Sequence, residues 1–380
     1  MLSPITSCLL RLALTFHWNL RAEHKQENII FSPFGIGTAL SMTALASSGN
    51  TERQLYAALN LTNCVGRMAE HVSTLLDVRS TPDAFLIMAN RMYADRRLTI
   101  RTQYRLLLDR FYQAIVAQAD FEKNPEALRA DINAWVSYQT GYKVKQLLPV
   151  GSVNNRTQFV LVSALSFQAL WEQPFEKSYS KVGSFSVSVQ RDVEVVMMYR
   201  EGKFKIAYAD DLMSVAVELP YKGGRFSMVI FLPYELEGLQ TVEKRLTERR
   251  LRSVFQHLSV DDVGITLPKF KLDFRSDIKR ILQSLGVKDL FQPGAADLSG
   301  MVESGKPWLS DIHHEVFLQV DEGGTEAAAP AAAVGVNSPP PDPSAMTYID
   351  VDHPFLFLIK DNAYNIILFM GSFVEPNGKY

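Results

Sequence analysis

The sequence predicts an α+β fold with large, mainly antiparallel sheets. Three observations lead there. Helical patterns gather in the first half of the 380 residues, strand patterns dominate afterwards, and no regular strand–helix–strand alternation links them. Strand pairs are joined by short hairpin signals such as "YKGG" at 221–224. No polar linker and no internal repeat divides the chain, so residues 1–380 are expected to form a single domain.

Leu9, Ala13, Phe16 and Leu20 fall on one helix face. The surrounding "CLLRLALTF" (8–16) has the look of a signal core. Arg11 interrupts it, however, and "HWNLRAEHK" follows with no small-residue cleavage site, so it is expected to be the first helix of the mature fold, with any secretion signal already removed. In "FSPFGIGTALSMTALASSGNT" (31–51), Ser32 is the expected N-cap, Pro33 the first helical residue and Gly49 the stop. The helix lacks a charged face, which predicts burial on most sides. Thr51 is expected to cap a short helix, "ERQLYAALN". A strand follows at 85–95, then helices at 101–116 and at 128–141, the latter closed by Gly141. The continuous apolar run "FVLVSALSF" (159–167) reads as a strand buried on both faces.

Residues 214–220 and 225–233 form a hairpin pattern, and 263–274 alternates as one strand before a helix, "DIKRILQSLGV". A strand at 315–320 runs into "DEGGTEAAAPAAAVGVNSPPPDPSAM" (321–346), which composition alone makes a flexible linker or a short Ala-rich helix. Residues 355–360 and 366–374 make a last hairpin across "DNAYN".

Net charge is -2, so no basic field points to nucleic acid. No apolar run is long enough to span a bilayer. The two cysteines, Cys8 and Cys64, allow one bridge or two buried thiols. Sequons at Asn60 and Asn155 lean toward an extracellular glycoprotein. There is no P-loop, GxSxG, HExxH or CxxC motif, and the sequence predicts no enzyme, no cofactor and no metal site. The His313–His314 pair would point to opposite faces of a strand, one residue buried and one exposed. In "KRLTERRLRS" (244–253), helical spacing puts Arg245, Arg249 and Arg252 on one face, a candidate site for a sulfated polyanion such as a glycosaminoglycan. The bland alternative is a solvated face with Glu243 and Glu248 interleaved.

Taken together and in order, "NIIFSPFGIGTALSM" (28–42), "DINAWVSYQTGYKVKQLLP" (131–149), "FVLVSALSFQALWEQPF" (159–175), "VELPYKGGRFSMVIFLP" (217–233), "LPKFKLDF" (267–274), "LQSLGVKDLF" (282–291), "HHEVFLQVDEGGTEAAA" (313–329) and "HPFLFLIKDNAYNIILFMGSF" (353–373) resemble the serpins nearly end to end. The resemblance implies three β-sheets, eight or nine helices and an exposed reactive-centre loop at about 322–348. It implies a metastable, secreted, monomeric protein whose partner is a serine protease. The protease cuts the loop, and the cut loop inserts into the central sheet as a new strand, a conformational change that traps the enzyme. By the same resemblance, Glu322, Gly324, Thr325, Glu326, Ala327, Ala328, Ala329 and Pro330 form the hinge. Their small side chains suit a strand that must slip between others.

The chain departs from the family pattern in places. Pro330 lies where the inserting strand needs backbone donors. Ala331 replaces the usual threonine. Family spacing puts the cut at Ser338–Pro339, an awkward bond for most serine proteases, so the reactive-site window is Val334, Gly335, Val336, Asn337, Ser338 and Pro339, with Met346–Thr347 as an outlier. No Lys or Arg lies between 322 and 359, which disfavours trypsin-like targets and suits elastase- or chymotrypsin-like ones. In the sheet-opening region Ser32, His314 and Trp171 match the family, whereas Gly35 and Ser163 stand for the usual serine and asparagine. The proline-rich loop also leaves a second reading, a non-inhibitory carrier or extracellular binding protein.

Overall fold

The computed structural model describes residues 4–59, 80–81, 83–325 and 346–376. Among these are eight α-helices: α1 (Pro4–Glu23), α2 (Pro33–Ala46), α3 (Gly49–Ala58), α4 (Thr102–Tyr112), α5 (Pro125–Gln139), α6 (Leu239–Arg245), α7 (Glu248–His257) and α8 (Ile278–Ser284). The strands of the first half are β1 (Ile29–Phe31), β2 (Ser80–Thr81), β3 (Ala84–Asp95), β4 (Val116–Ala119), β5 (Phe159–Leu170), β6 (Lys181–Ser188) and β7 (Arg191–Ala209). Those of the second half are β8 (Ser214–Pro220), β9 (Phe226–Pro233), β10 (Ser259–Pro268), β11 (Phe270–Asp277), β12 (Asp311–Val320), β13 (Gly324–Thr325), β14 (Thr347–Asp350), β15 (Phe355–Asp361) and β16 (Ile366–Phe373).

The strands form two hydrogen-bonded networks. The seven-stranded one runs β11-β12-β13-β5-β3-β2, with β4 on β3. The nine-stranded one runs β1-β16-β15-β9-β8-β7-β10-β14, with β6 on β7. The three expected sheets are counted as two because β7 is long enough to serve twice. Its first part pairs with β6 and β10, and its last residues pair with β8.

The large core fills the space between the networks and takes in α1 and α2. Leu9, Ala13, Phe16 and Leu20 all lie in it, as their spacing predicts. Helix α2 is buried along almost its whole length, and the Ser32 side chain accepts from Gly35 N–H as an N-cap should. A second apolar cluster lies on the opposite face of the seven-stranded sheet. There Ile132 and Val136 of α5, with Val144, Leu147 and Leu148 beyond it, cover Val160, Val162, Ala164 and Phe317. The central sheet therefore has a dry face on each side, and this is why β5 reads as one apolar run.

Several expected boundaries move. Gly49 does not stop α2, which ends at Ala46. At φ 60° it opens α3 behind Ser48, and Thr51 sits inside that helix with its hydroxyl accepting from Asp297 N–H. The helix expected at 101–116 ends at Tyr112, where Gln113 turns left-handed and Val116 begins a strand. The strand expected at 263–274 is two strands in different networks, β10 and β11, broken at Lys269. The sign of the break was a slip in phase: Val263, Ile265 and Leu267 are buried at odd positions, Phe270 and Leu272 at even ones.

Candidate functional site

The site is the gap between β12 and β5 in the centre of the seven-stranded sheet. Along Asp311–Phe317 the two strands pair in parallel with Val160–Ser166. Beyond that point they splay, and Gly324–Thr325 fills the opening. Thr325 lies opposite Val320 of β12 and Ala169 of β5, antiparallel to both. The chain reaches this position through a tight turn, in which Gly324 N–H donates to Asp321 O and Asp321 N–H to Gly324 O. A side chain is not tolerated at 324, because a Cβ there would sit 2.0 Å from Ala169 O.

Polar contacts hold this entry point. Trp171, stacked on Tyr221 with ring centroids 4.4 Å apart, donates its indole N–H to Asp321 O. Its backbone N–H bonds Gly323 O. The Tyr221 and Thr325 hydroxyls are 2.6 Å apart, both fully buried, and burial pushes the phenol well above its ordinary pKa. The Glu322 carboxylate is buried, which alone would raise its pKa. Its bonds to Lys269 and Ser180 more than offset this and hold it below the usual range. Lys269 is the residue at the break between β10 and β11, so the chain's passage from one network to the other delivers the ammonium to Glu322. Neither Lys269 nor Tyr221 stood out in the sequence. Each is an unremarkable polar residue beside a proline, and only the fold brings them to the loop.

Lower in the gap, His314 lies opposite Ser163 and is fully buried. Its Nε2 accepts from Ser32 N–H at 3.1 Å, so the ring proton is on Nδ1, 3.2 Å from Ser163 Oγ, which accepts it. Burial drives the His314 pKa down to about 3, and the imidazole is neutral. Ser163 thus keeps a bond to His314 although it is shorter than the asparagine it replaces. Gly35 makes no such replacement: a Cβ there would lie 2.5 Å from Leu165 Cδ1, so packing occupies the place of a hydroxyl. The structure thus brings Ser32, Gly35, Ser163 and His314 together in the lower gap, and Trp171 stands at its mouth.

Other expectations fall elsewhere. His313 is buried like its neighbour, not exposed, because both faces of β12 are covered. Arg245, Arg249 and Arg252 do not share one helix. Arg245 ends α6, and Thr247 starts α7 as its N-cap. Arg245 and Arg249 are exposed, whereas Arg252 turns inward to Glu248 and Ser7. Glu243 is no solvated neighbour either: it is buried against Arg21 and Ser372. Cys8 is disulfide-bonded, and the only other cysteine, Cys64, lies outside the described residues. Asn155 is exposed in a turn, with Asn60 outside the described residues. Glu326, Ala327, Ala328, Ala329 and Pro330, and the window Val334–Pro339, also lie outside them.

The sequence profile of the family described as Serpin (serine protease inhibitor) matches residues 9–376. The chain belongs to the serpin family. Among serpins of known sequence it is similar to Iris of Ixodes ricinus, 38% identical over 351 residues and 92% of each chain. It is also similar to the leukocyte elastase inhibitor of Homo sapiens, 34% identical over 382 residues, 99% of this chain and 100% of that one. Among solved serpin structures, Serpin48 of Tenebrio molitor superposes with a TM-score of 0.88 at 29% identity over 97% of both chains. Uncleaved ovalbumin does so with a TM-score of 0.90 at 27% identity, over 98% of this serpin and 100% of that chain. No helix among the described residues of this serpin is long and apolar enough to cross a membrane.

Proposed function

We propose that this serpin inhibits serine proteases as a suicide substrate, with residues 322–348 as the bait and the gap between β12 and β5 as the slot that receives them after cleavage. The carrying observation is that Gly324 and Thr325 already stand in the slot as a strand, Gly324 paired with Leu170 of β5 and Thr325 paired on both sides. Continuing that register places residue 331 between His314 and Ser163, and residue 334 between Asp311 and Val160, the first paired residues of the two neighbours. The slot thus holds the loop as far as about residue 334, in keeping with a cut within Val334–Ser338.

The same register specifies the effect of Pro330. Gly324 turns its peptide groups toward β12 and Gly323 turns its carbonyl toward β5, so even-numbered residues face β12. Pro330 would fall opposite Glu315, and the Glu315 carbonyl would lack one donor. A single missing bond costs about 1–3 kcal/mol, against about 0.5–1.5 kcal/mol gained for each of the others, so insertion remains favoured. Elastase-like targets suit a loop without Lys or Arg, and relatives named as leukocyte elastase inhibitors support that preference. The Cys8 disulfide and the exposed Asn155 sequon support an oxidising, extracellular setting.

Incubation with elastase-, chymotrypsin- and trypsin-like proteases followed by denaturing gels tests the reading. A detergent-stable complex with one of the first two is expected. Loop cleavage without a complex, and without a gain in thermal stability, would overturn it in favour of a non-inhibitory carrier.

A further inference from the structure

The inner face of the seven-stranded sheet carries a polar row one residue deep. Ser276 lies opposite His314, His314 opposite Ser163, and Ser163 opposite Asn90. Residues opposite each other on adjacent strands share a face. Here it is the face of the large core, for Val316, Leu165 and Met92, two residues away on each strand, belong to that core. Only the middle pair of the row is hydrogen-bonded. Among the described residues, Asn90 Nδ2 and Oδ1 and Ser276 Oγ are buried with no partner. An unpaired polar group inside a core is costly, and two of them flanking a bonded pair at one level ask for a reason.

Insertion supplies one. This step rests on the loop-insertion reading: a strand placed between β12 and β5 separates His314 from Ser163 and puts Ala331 between them. Alanine has no side-chain group to offer either. We infer that Asn90 and Ser276 are the partners to which the separated pair turns, Ser163 Oγ to the Asn90 amide and the His314 Nδ1–H to Ser276 Oγ. The row then trades one central bond for two outer ones, and the polar groups left idle in the closed sheet are satisfied in the open one. Asn90 and Ser276 are positioning residues for insertion. They leave the closed form slightly worse off and the inserted form better off.

The test compares intact protein with protein cut in the loop by thermolysin, a metalloprotease that forms no acyl-enzyme, in thermal unfolding. Asn90→Leu and Ser276→Ala should leave the intact melting temperature unchanged or raised. Each should lower that of the cleaved form by roughly 2–4 °C. Ser276→Thr, which keeps the hydroxyl, should restore it. Should Asn90→Leu fail to fold, Asn90→Ala serves in its place. Histidine-labelled protein gives a second readout: the His314 Nδ1–H resonance should shift on cleavage and be lost to exchange in cleaved Ser276→Ala. Equal shifts of intact and cleaved forms, or an unmoved resonance in a wild type that does gain stability, would overturn the exchange alone. A wild type that gains no stability on cleavage would overturn the insertion reading, and the exchange with it.

Discussion

Along β15 and β9, Leu356–Phe231, Phe357–Ile230 and Leu358–Val229 pair antiparallel, and all six side chains are fully buried. Phe270, Phe355, Phe357 and Phe373 interlock beside them, with Phe270 and Phe373 4.9 Å apart between ring centroids. Along β12 and β5 the pairing is parallel, the inner face carries His314 opposite Ser163, and the upper end is already parted by Gly324–Thr325. Both are interior strand pairs of dry sheets. Parallel pairing is slightly weaker per residue, and a polar contact can be exchanged for another where an interlocked aromatic cluster cannot. The contrast teaches where separation would cost least: one pair of strands is closed by interlocked packing, the other by parallel pairing with a single polar contact, His314 to Ser163, at its level.

Removing packing should show the largest effect and should not discriminate between states. Phe270→Ala is expected to cost about 3–5 kcal/mol in denaturant unfolding, equally before and after loop cleavage. A loss confined to one form would break the contrast.

Acid should act on the gap through His314. In the closed sheet burial holds the His314 pKa down to about 3, and a state that exposes the ring relieves that burial. The open form therefore takes up the proton first. The His314 contribution to closed-sheet stability is fully present above the ordinary histidine range and is lost progressively as pH falls below it. The rate at which intact protein loses inhibitory activity should rise over that window, and His314→Gln should flatten the profile.

Gly324→Val tests the entry point. Its side chain would meet Ala169 O and the Leu170 backbone, and expelling β13 is expected to cost about 1–3 kcal/mol. The variant should be cleaved as a substrate, with more inhibitor consumed per protease molecule blocked, while its unfolding in the region of β15 and β9 stays unchanged by hydrogen exchange.

An effect of similar size, confined to the cleaved form, is expected at Pro330. Pro330→Ala restores the donor to Glu315 O and should raise the stability of the cleaved form by about 1–3 kcal/mol without touching the intact one. An equal rise in both would place residue 330 outside the slot.

Much of the frame was legible because it follows from local rules. Ser32 and Pro33 announced α2, the alternation around "YKGG" announced β8 and β9, and an unbroken apolar run announced a strand with two dry faces. The errors have physical causes. Gly49 reads equally well as a stop or a start, since a left-handed glycine serves both. The arginines at 245, 249 and 252 keep helical spacing in a sequence whose helix is interrupted at Leu246–Thr247. His313 follows the rule of alternation but not of exposure, because α5 and the segment after it roof the outer face.

The sequence by itself determined the elements, the family and the small residues at 322–329, since propensity, periodicity and motif order are properties of neighbours in the chain. Only the tertiary structure decided that Thr325 is already paired on both sides, that Lys269 closes on Glu322, and that Asn90, Ser163, His314 and Ser276 stand in one row. Those four come from four strands up to 224 positions apart (314 − 90). Register between distant strands is set by the packing of whole sheets, and no local pattern encodes it.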